Sequence, residues 1–129
     1  MLKLTKIIIL GSGYIGSEII ASFSNKYDII CIDHGKNFDK LKKEFPKVTF
    51  VKGDYDDENL LKKFVIDPDF VFYCIGTGGV VDCITNPKKY MEINIYEFKK
   101  LLKFLSKIKD FTFFLFSSAF VYSDLPHVI

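Results

Sequence analysis

The chain has 129 residues, enough for one domain with a packed interior, and its 49% hydrophobic and 16% aromatic content excludes a disordered or low-complexity polypeptide. Its 18 basic and 16 acidic residues leave a net charge of +2, and every basic residue is a scattered lysine, which argues against a nucleic-acid surface and removes any arginine fork for phosphate. No apolar stretch approaches the roughly 18 residues of a membrane span, and Cys31, Cys74 and Cys83 lack CxxC spacing, which points to reduced buried thiols and a cytoplasmic location.

The first apolar run, residues 6–10, ends at a glycine and reads as a strand rather than as the core of a signal peptide. Ile15, Ile19, Ile20 and Phe23 then share one face of a helix over 15–23. A second strand at 28–32 leads to a short lysine-rich helix at 38–45 and a third strand at 48–51. Acidic residues open the next helix, 56–64, as suits a helix N-terminus, and Leu60, Leu61 and Phe64 point inward. After a fourth strand at 70–75, the longest helix is predicted over 87–107, with Pro87 in its first turn and Met91, Ile95, Phe98, Leu101, Leu102 and Leu105 on its buried face. A fifth strand is predicted at 111–116. Most of these runs are continuously apolar rather than alternating, as in strands buried on both faces. The expected architecture is therefore α/β, a doubly wound five-stranded parallel sheet of Rossmann type in the order 3-2-1-4-5, with ligands beyond the carboxyl ends of the strands near the reversal between strands one and four.

Gly11, Gly13 and Gly16 form GxGxxG directly between the first strand and the first helix, the context that makes this common pattern informative. Gly11 suits the tight turn, Gly13 the approach of a pyrophosphate to backbone amides, and Gly16 close packing of helix on sheet. The alternative is a plain strand-to-helix turn. Asp33 ends the second strand about 20 residues further on, where a carboxylate accepts from adenosine ribose hydroxyls and repels a 2′-phosphate. The pair points to NAD rather than NADP, with Lys36 as a substitute for the absent arginine and a turn-forming role for Asp33 as the alternatives.

Gly13-Tyr14-Ile15-Gly16-Ser17, Asp33, Gly53-Asp54, Cys74-Ile75-Gly76, Asn94 and Phe116-Ser117-Ser118-Ala119-Phe120-Val121-Tyr122 together resemble the NAD-dependent epimerase/dehydratases of the extended short-chain dehydrogenase/reductases, in order and spacing along nearly the whole chain. The resemblance implies that Gly11, Gly13, Tyr14, Ile15, Gly16, Asp33, Asp54, Tyr55, Cys74, Ile75, Gly76 and Asn94 contact NAD, with Asp54 meeting adenine. It also implies that Ser118 is the catalytic hydroxyl that hydrogen-bonds a nucleotide-sugar substrate. Each has an ordinary reading beside it: Asp54 as a helix cap, Asn94 as an exposed helix residue, Ser117 and Ser118 as turn residues. His34 and His127 have neither a carboxylate pattern nor metal-ligand spacing, so they receive no catalytic role, and no metal is expected.

The chain departs from the family pattern in several places. Leu10 replaces the first glycine of GxxGxxG, Glu97 and Phe98 stand where a Gly-Thr pair is usual, and Gly78 stands where epimerases often carry a cofactor-contacting lysine. The family's catalytic YxxxK helix follows the VYG segment; here Tyr122 is followed four residues on by Pro126. Residues 1–129 are accordingly expected to form an incomplete NAD-binding Rossmann domain that stops before that helix and does not turn over a sugar. Three readings stay open: the amino-terminal portion of a nucleotide-sugar epimerase or dehydratase, a non-catalytic nucleotide-binding or regulatory module, and a dehydrogenase completed by a second polypeptide. Self-association through the fifth strand and the long helix is expected under each.

Overall fold

Ile7, Ile8, Ile9 and Leu10 are almost wholly removed from solvent because β1 (Lys6–Leu10) runs down the middle of a sheet covered on both faces. The computed structural model describes residues 3–118, so the expectations placed on Phe120, Val121, Tyr122, Pro126 and His127 lie outside the described residues. Five strands pair in parallel in the order β3-β2-β1-β4-β5, with β2 at Asp28–Asp33, β3 at Thr49–Lys52, β4 at Phe70–Tyr73 and β5 at Thr112–Leu115. This is the α/β class and strand order that the apolar runs predict.

Alternation along the strands sends side chains into two separate cores. On one face Ile7, Ile9, Ile29 and Cys31 meet Ile20 of α1 (Tyr14–Phe23) and Phe38 and Leu41 of α2 (Phe38–Glu44). On the other, Ile8, Leu10, Ile32, Val51 and Val71 meet Leu61 of α3 (Glu58–Phe64). Asp57 caps α3 by accepting from the amides of Asn59 at 3.0 Å and Leu60 at 3.3 Å, so the helix starts slightly later than the acidic run suggests and Asp54 is left free of capping.

The crossover from β4 to β5 differs from the single long helix of the sequence reading. It consists of α4 (Val80–Thr85), α5 (Pro87–Met91), a π-helical segment (Glu92–Glu97) and α6 (Phe98–Leu105). Wider i→i+5 turns rotate the apolar face relative to an α-helical projection. Leu101, Phe104 and Leu105 of α6 reach the core, whereas Met91 and Ile95, predicted to lie on the same buried stripe, are each 45% exposed and Leu102 is also on the surface. Surface ion pairs from Lys100 of α6 to Asp56 at 3.0 Å and from Lys107, just past α6, to Glu58 at 3.5 Å reach the start of α3 and add little to stability. Leu115 and Phe116, at and just past the end of β5, stay exposed. No helix of the described residues is long and apolar enough to cross a membrane.

Candidate functional site

Parallel strands deliver their carboxyl ends to one edge of the sheet, and there Gly11, Gly13, Asp33, His34, Asp54, Tyr55, Cys74, Ile75 and Gly76, joined by residues of the β4–β5 crossover, enclose a cleft of about 460 Å³. Main-chain bonds fix the strand ends against one another. The amide of Gly11 donates to the Ile32 carbonyl at 2.9 Å, that of Gly53 to Asp33 at 3.0 Å, and that of Cys74 to Leu10 at 2.8 Å.

Gly11 turns the chain out of β1 with φ +97°, a conformation that side-chain-bearing residues rarely adopt, and a Cβ there would press on Ile75 and the Cys74 backbone at 2.9–3.1 Å. At Gly16 a Cβ would lie 2.0 Å from the Gly11 carbonyl oxygen, so α1 can pack this close to the loop only with glycine. Gly13 differs: a Cβ would meet nothing within 4 Å, and the backbone there faces open space at the cleft. No side chain caps α1, which leaves its first-turn amides for an anion. An open glycine backbone at an uncapped helix start fits a diphosphate.

The hub of this loop is Ser12, a position that no motif of the sequence marks. It is fully buried, and its amide and hydroxyl donate to Asp33 Oδ2 at 2.6 and 2.5 Å. Its carbonyl accepts from the Ser17 hydroxyl at 2.9 Å and from Asn37 Nδ2 at 3.2 Å. Asp33 Oδ1 accepts from the His34 amide at 2.5 Å. Of the roughly four acceptor positions of a carboxylate, three are thus used, and the remaining one lies on Oδ1. Asp33 therefore organises the loop and has one acceptor position unused among the described residues.

Asp54 stands across from Asp33, and its Oδ1 lies 2.6 Å from His34 Nε2. His34, which sequence spacing leaves without a carboxylate partner, thus has one, because the parallel pairing of β2 with β3 brings the segments past Asp33 and Lys52 together. Tyr55 is buried in the cleft wall, and its hydroxyl donates to the Ile93 carbonyl within the π-helical segment at 2.8 Å. Burial, reinforced by Tyr73 and by the Glu97 carboxylate, pushes its phenol well above the usual range, so it serves as a donor. Replacing Tyr55 with Phe leaves the Ile93 carbonyl without this donor; the expected loss is about 1 kcal/mol, read as a melting point lower by about 4 °C. An unchanged melting point would show that the tie carries no weight.

Cys74 lines the cleft with its thiol pushed up to about 12 by burial, and buried Cys31 is likewise raised to about 12, by burial first and by Asp33 second. Both stay protonated at neutral pH. Thr77, Lys89, Ile93 and Glu97 join the lining unannounced by any motif. Tyr14, 87% exposed, Ile15, Gly16 and Asn94 lie outside the lining; Asn94 instead donates from Nδ2 to the Thr77 carbonyl at 3.1 Å and braces the loop after β4. Ser118 follows β5 and is also outside the lining. Tyr96 and Lys100 have YxxxK spacing, yet the Lys100 ammonium pairs with Asp56 and neither residue reaches the cleft. Among the described residues no group of three or more metal-ligating side chains forms.

The sequence profile of the NAD dependent epimerase/dehydratase family matches residues 7–129. A UDP-glucose 4-epimerase of Mycoplasma genitalium is 34% identical over 129 positions, which cover 93% of this chain and 38% of that protein. In three dimensions a UDP-glucose 4-epimerase crystal structure superposes with a TM-score of 0.74 at 22% identity, over 84% of this chain and 34% of the other, and shows the shared fold. The UDP-glucose 4-epimerase of Bifidobacterium longum, solved in complex with NAD+ and UDP, gives 0.69 at 25% identity over 80% and 34% of the two chains. This chain thus spans little more than a third of the length of these relatives. The profile match over residues 7–129 shows that the chain belongs to the NAD-dependent epimerase/dehydratase family, within which it is an NAD-binding Rossmann module.

Proposed function

We propose that these residues are the cofactor-holding portion of a nucleotide-sugar epimerase or dehydratase and that the 129-residue chain by itself binds NAD without turning over a sugar. The observation that carries this reading is the arrangement around Ser12, where the open backbone of Gly13 at the uncapped start of α1 and Asp33, with one acceptor position unused among the described residues, line one cleft. First-turn amides of α1 would hold the diphosphate, Asp33 the adenosine ribose, Asp54 the adenine, and Cys74 to Gly76 the wall along the nicotinamide side. Bound NAD supplies the site with a reversible hydride acceptor. Ser118, just beyond β5, would orient a sugar hydroxyl, a role taken from the resemblance. Lys89 is the single lysine of the lining and offsets part of the diphosphate charge.

Calorimetric titration tests the reading. NAD is expected to bind about tenfold more tightly than NADP, because Asp33 repels a 2′-phosphate and no arginine offsets it. Gly13→Ala should melt like the wild type, since its Cβ enters open space, while losing about tenfold in NAD affinity where the side chain meets the diphosphate. A folded chain that binds no NAD at millimolar concentration would sink the proposal.

A further inference from the structure

Asp54 Oδ1 and His34 Nε2 are 2.6 Å apart, and both side chains are largely exposed, at 67% and 72%. Exposed pairs contribute little to folding, so the weight of this contact does not lie on the fold. Both residues line the cleft beside Asp33, and Asp54 Oδ2 has no partner among the described residues. We propose that His34 is a positioning residue for the adenosine end of a dinucleotide: it holds Asp54 by Oδ1 so that Oδ2 is presented to the amine of the purine. This rests on the cofactor reading above and adds to it a residue that no family motif marks.

The arrangement also sets the charge that the ligand meets. His34 shares the cleft with Asp33, Asp54, Lys89 and Glu97, and the Lys52 side chain lies beside the neighbouring Gly35. Burial keeps the neighbouring Tyr55 phenol and Cys74 thiol uncharged. The lining has three carboxylates, Asp33, Asp54 and Glu97, against Lys89 alone, and the N–H that His34 directs at Asp54 Oδ1 offsets part of that excess where a diphosphate-bearing adenosine ligand enters.

ADP-ribose is the suitable probe, because it carries the adenosine and the diphosphate without the nicotinamide. Titration calorimetry of the 129-residue chain should show His34→Ala binding it about threefold more weakly than the wild type at an unchanged melting point. His34→Gln, which keeps an N–H donor, should restore most of that affinity. In an Asp54→Ala background His34→Ala should cost nothing further, because there is no carboxylate left to hold. Wild-type affinity in His34→Ala, or a loss that persists in full in the Asp54→Ala background, would overturn the positioning role while leaving NAD binding intact. A folded wild type that fails to bind ADP-ribose would overturn the cofactor reading and this one together.

Discussion

Gly16→Ala is expected to destabilise the protein by about 3 kcal/mol and to lower its melting point by about 10 °C, the largest effect of any single methyl group in the glycine loop. The added Cβ would sit 2.0 Å from the Gly11 carbonyl oxygen, and neither partner can yield locally. Gly11 is held by the bond of its amide to Ile32 and by its positive φ, with Ile75 and Cys74 directly behind it. Relief requires α1 to move off the sheet. That motion opens the packing of fully buried Ile20 against the β1 and β2 side chains and carries the first-turn amides away from the cleft. Circular dichroism melts of Gly16→Ala and Gly13→Ala measured together separate the two demands on this loop, since only the first substitution meets protein atoms. A Gly16→Ala melting point within about 2 °C of the wild type would show that the loop and helix are looser than their contact implies.

The contrast between these two glycines also marks how far the sequence carries. Strand order, the loop after β1 and the acid at the end of β2 follow from local signals: β-branched runs, glycines at fixed spacing and a carboxylate one crossover later. These were legible because each depends on a handful of neighbouring residues. What escaped depends on pairing between distant segments or on backbone geometry that residue spacing does not encode. The π-helical segment is one case, for its i→i+5 hydrogen bonds leave an apolar pattern that reads as plain helix, and so Met91 and Ile95 were projected inward although the widened turns leave them half exposed. Val80 and Val81 are another, since a short exposed helix after two glycines has no buried stripe to betray it. Ser12 and His34 are the functional instances. Ser12 looks like a spacer within GxGxxG until β2 brings Asp33 beneath it, and His34 gains Asp54 only when β2 and β3 lie in register.

That double engagement of Asp33 makes its substitution the sharper binding experiment. In Asp33→Ala, Ser12 keeps a buried amide and a buried hydroxyl with no acceptor, and an unsatisfied buried group costs about 1–3 kcal/mol. The expected result is a melting point lower by about 8 °C together with loss of detectable NAD binding, and the second effect alone would not establish a ribose contact, because the loop itself is disturbed. Asp33→Asn separates the two. Its amide oxygen can still accept from Ser12, so stability should stay within about 1 kcal/mol of the wild type. The negative charge is gone, however, and with it the repulsion of a 2′-phosphate. NAD affinity should fall about tenfold and the preference for NAD over NADP should disappear. If Asp33→Asn retains the preference, the charge at the end of β2 is not what discriminates between the dinucleotides, and the shape of the Gly35–Asn37 turn becomes the determinant to examine. If Asp33→Ala melts like the wild type, the buried Ser12 donors have found another acceptor and Asp33 acts on the ligand alone.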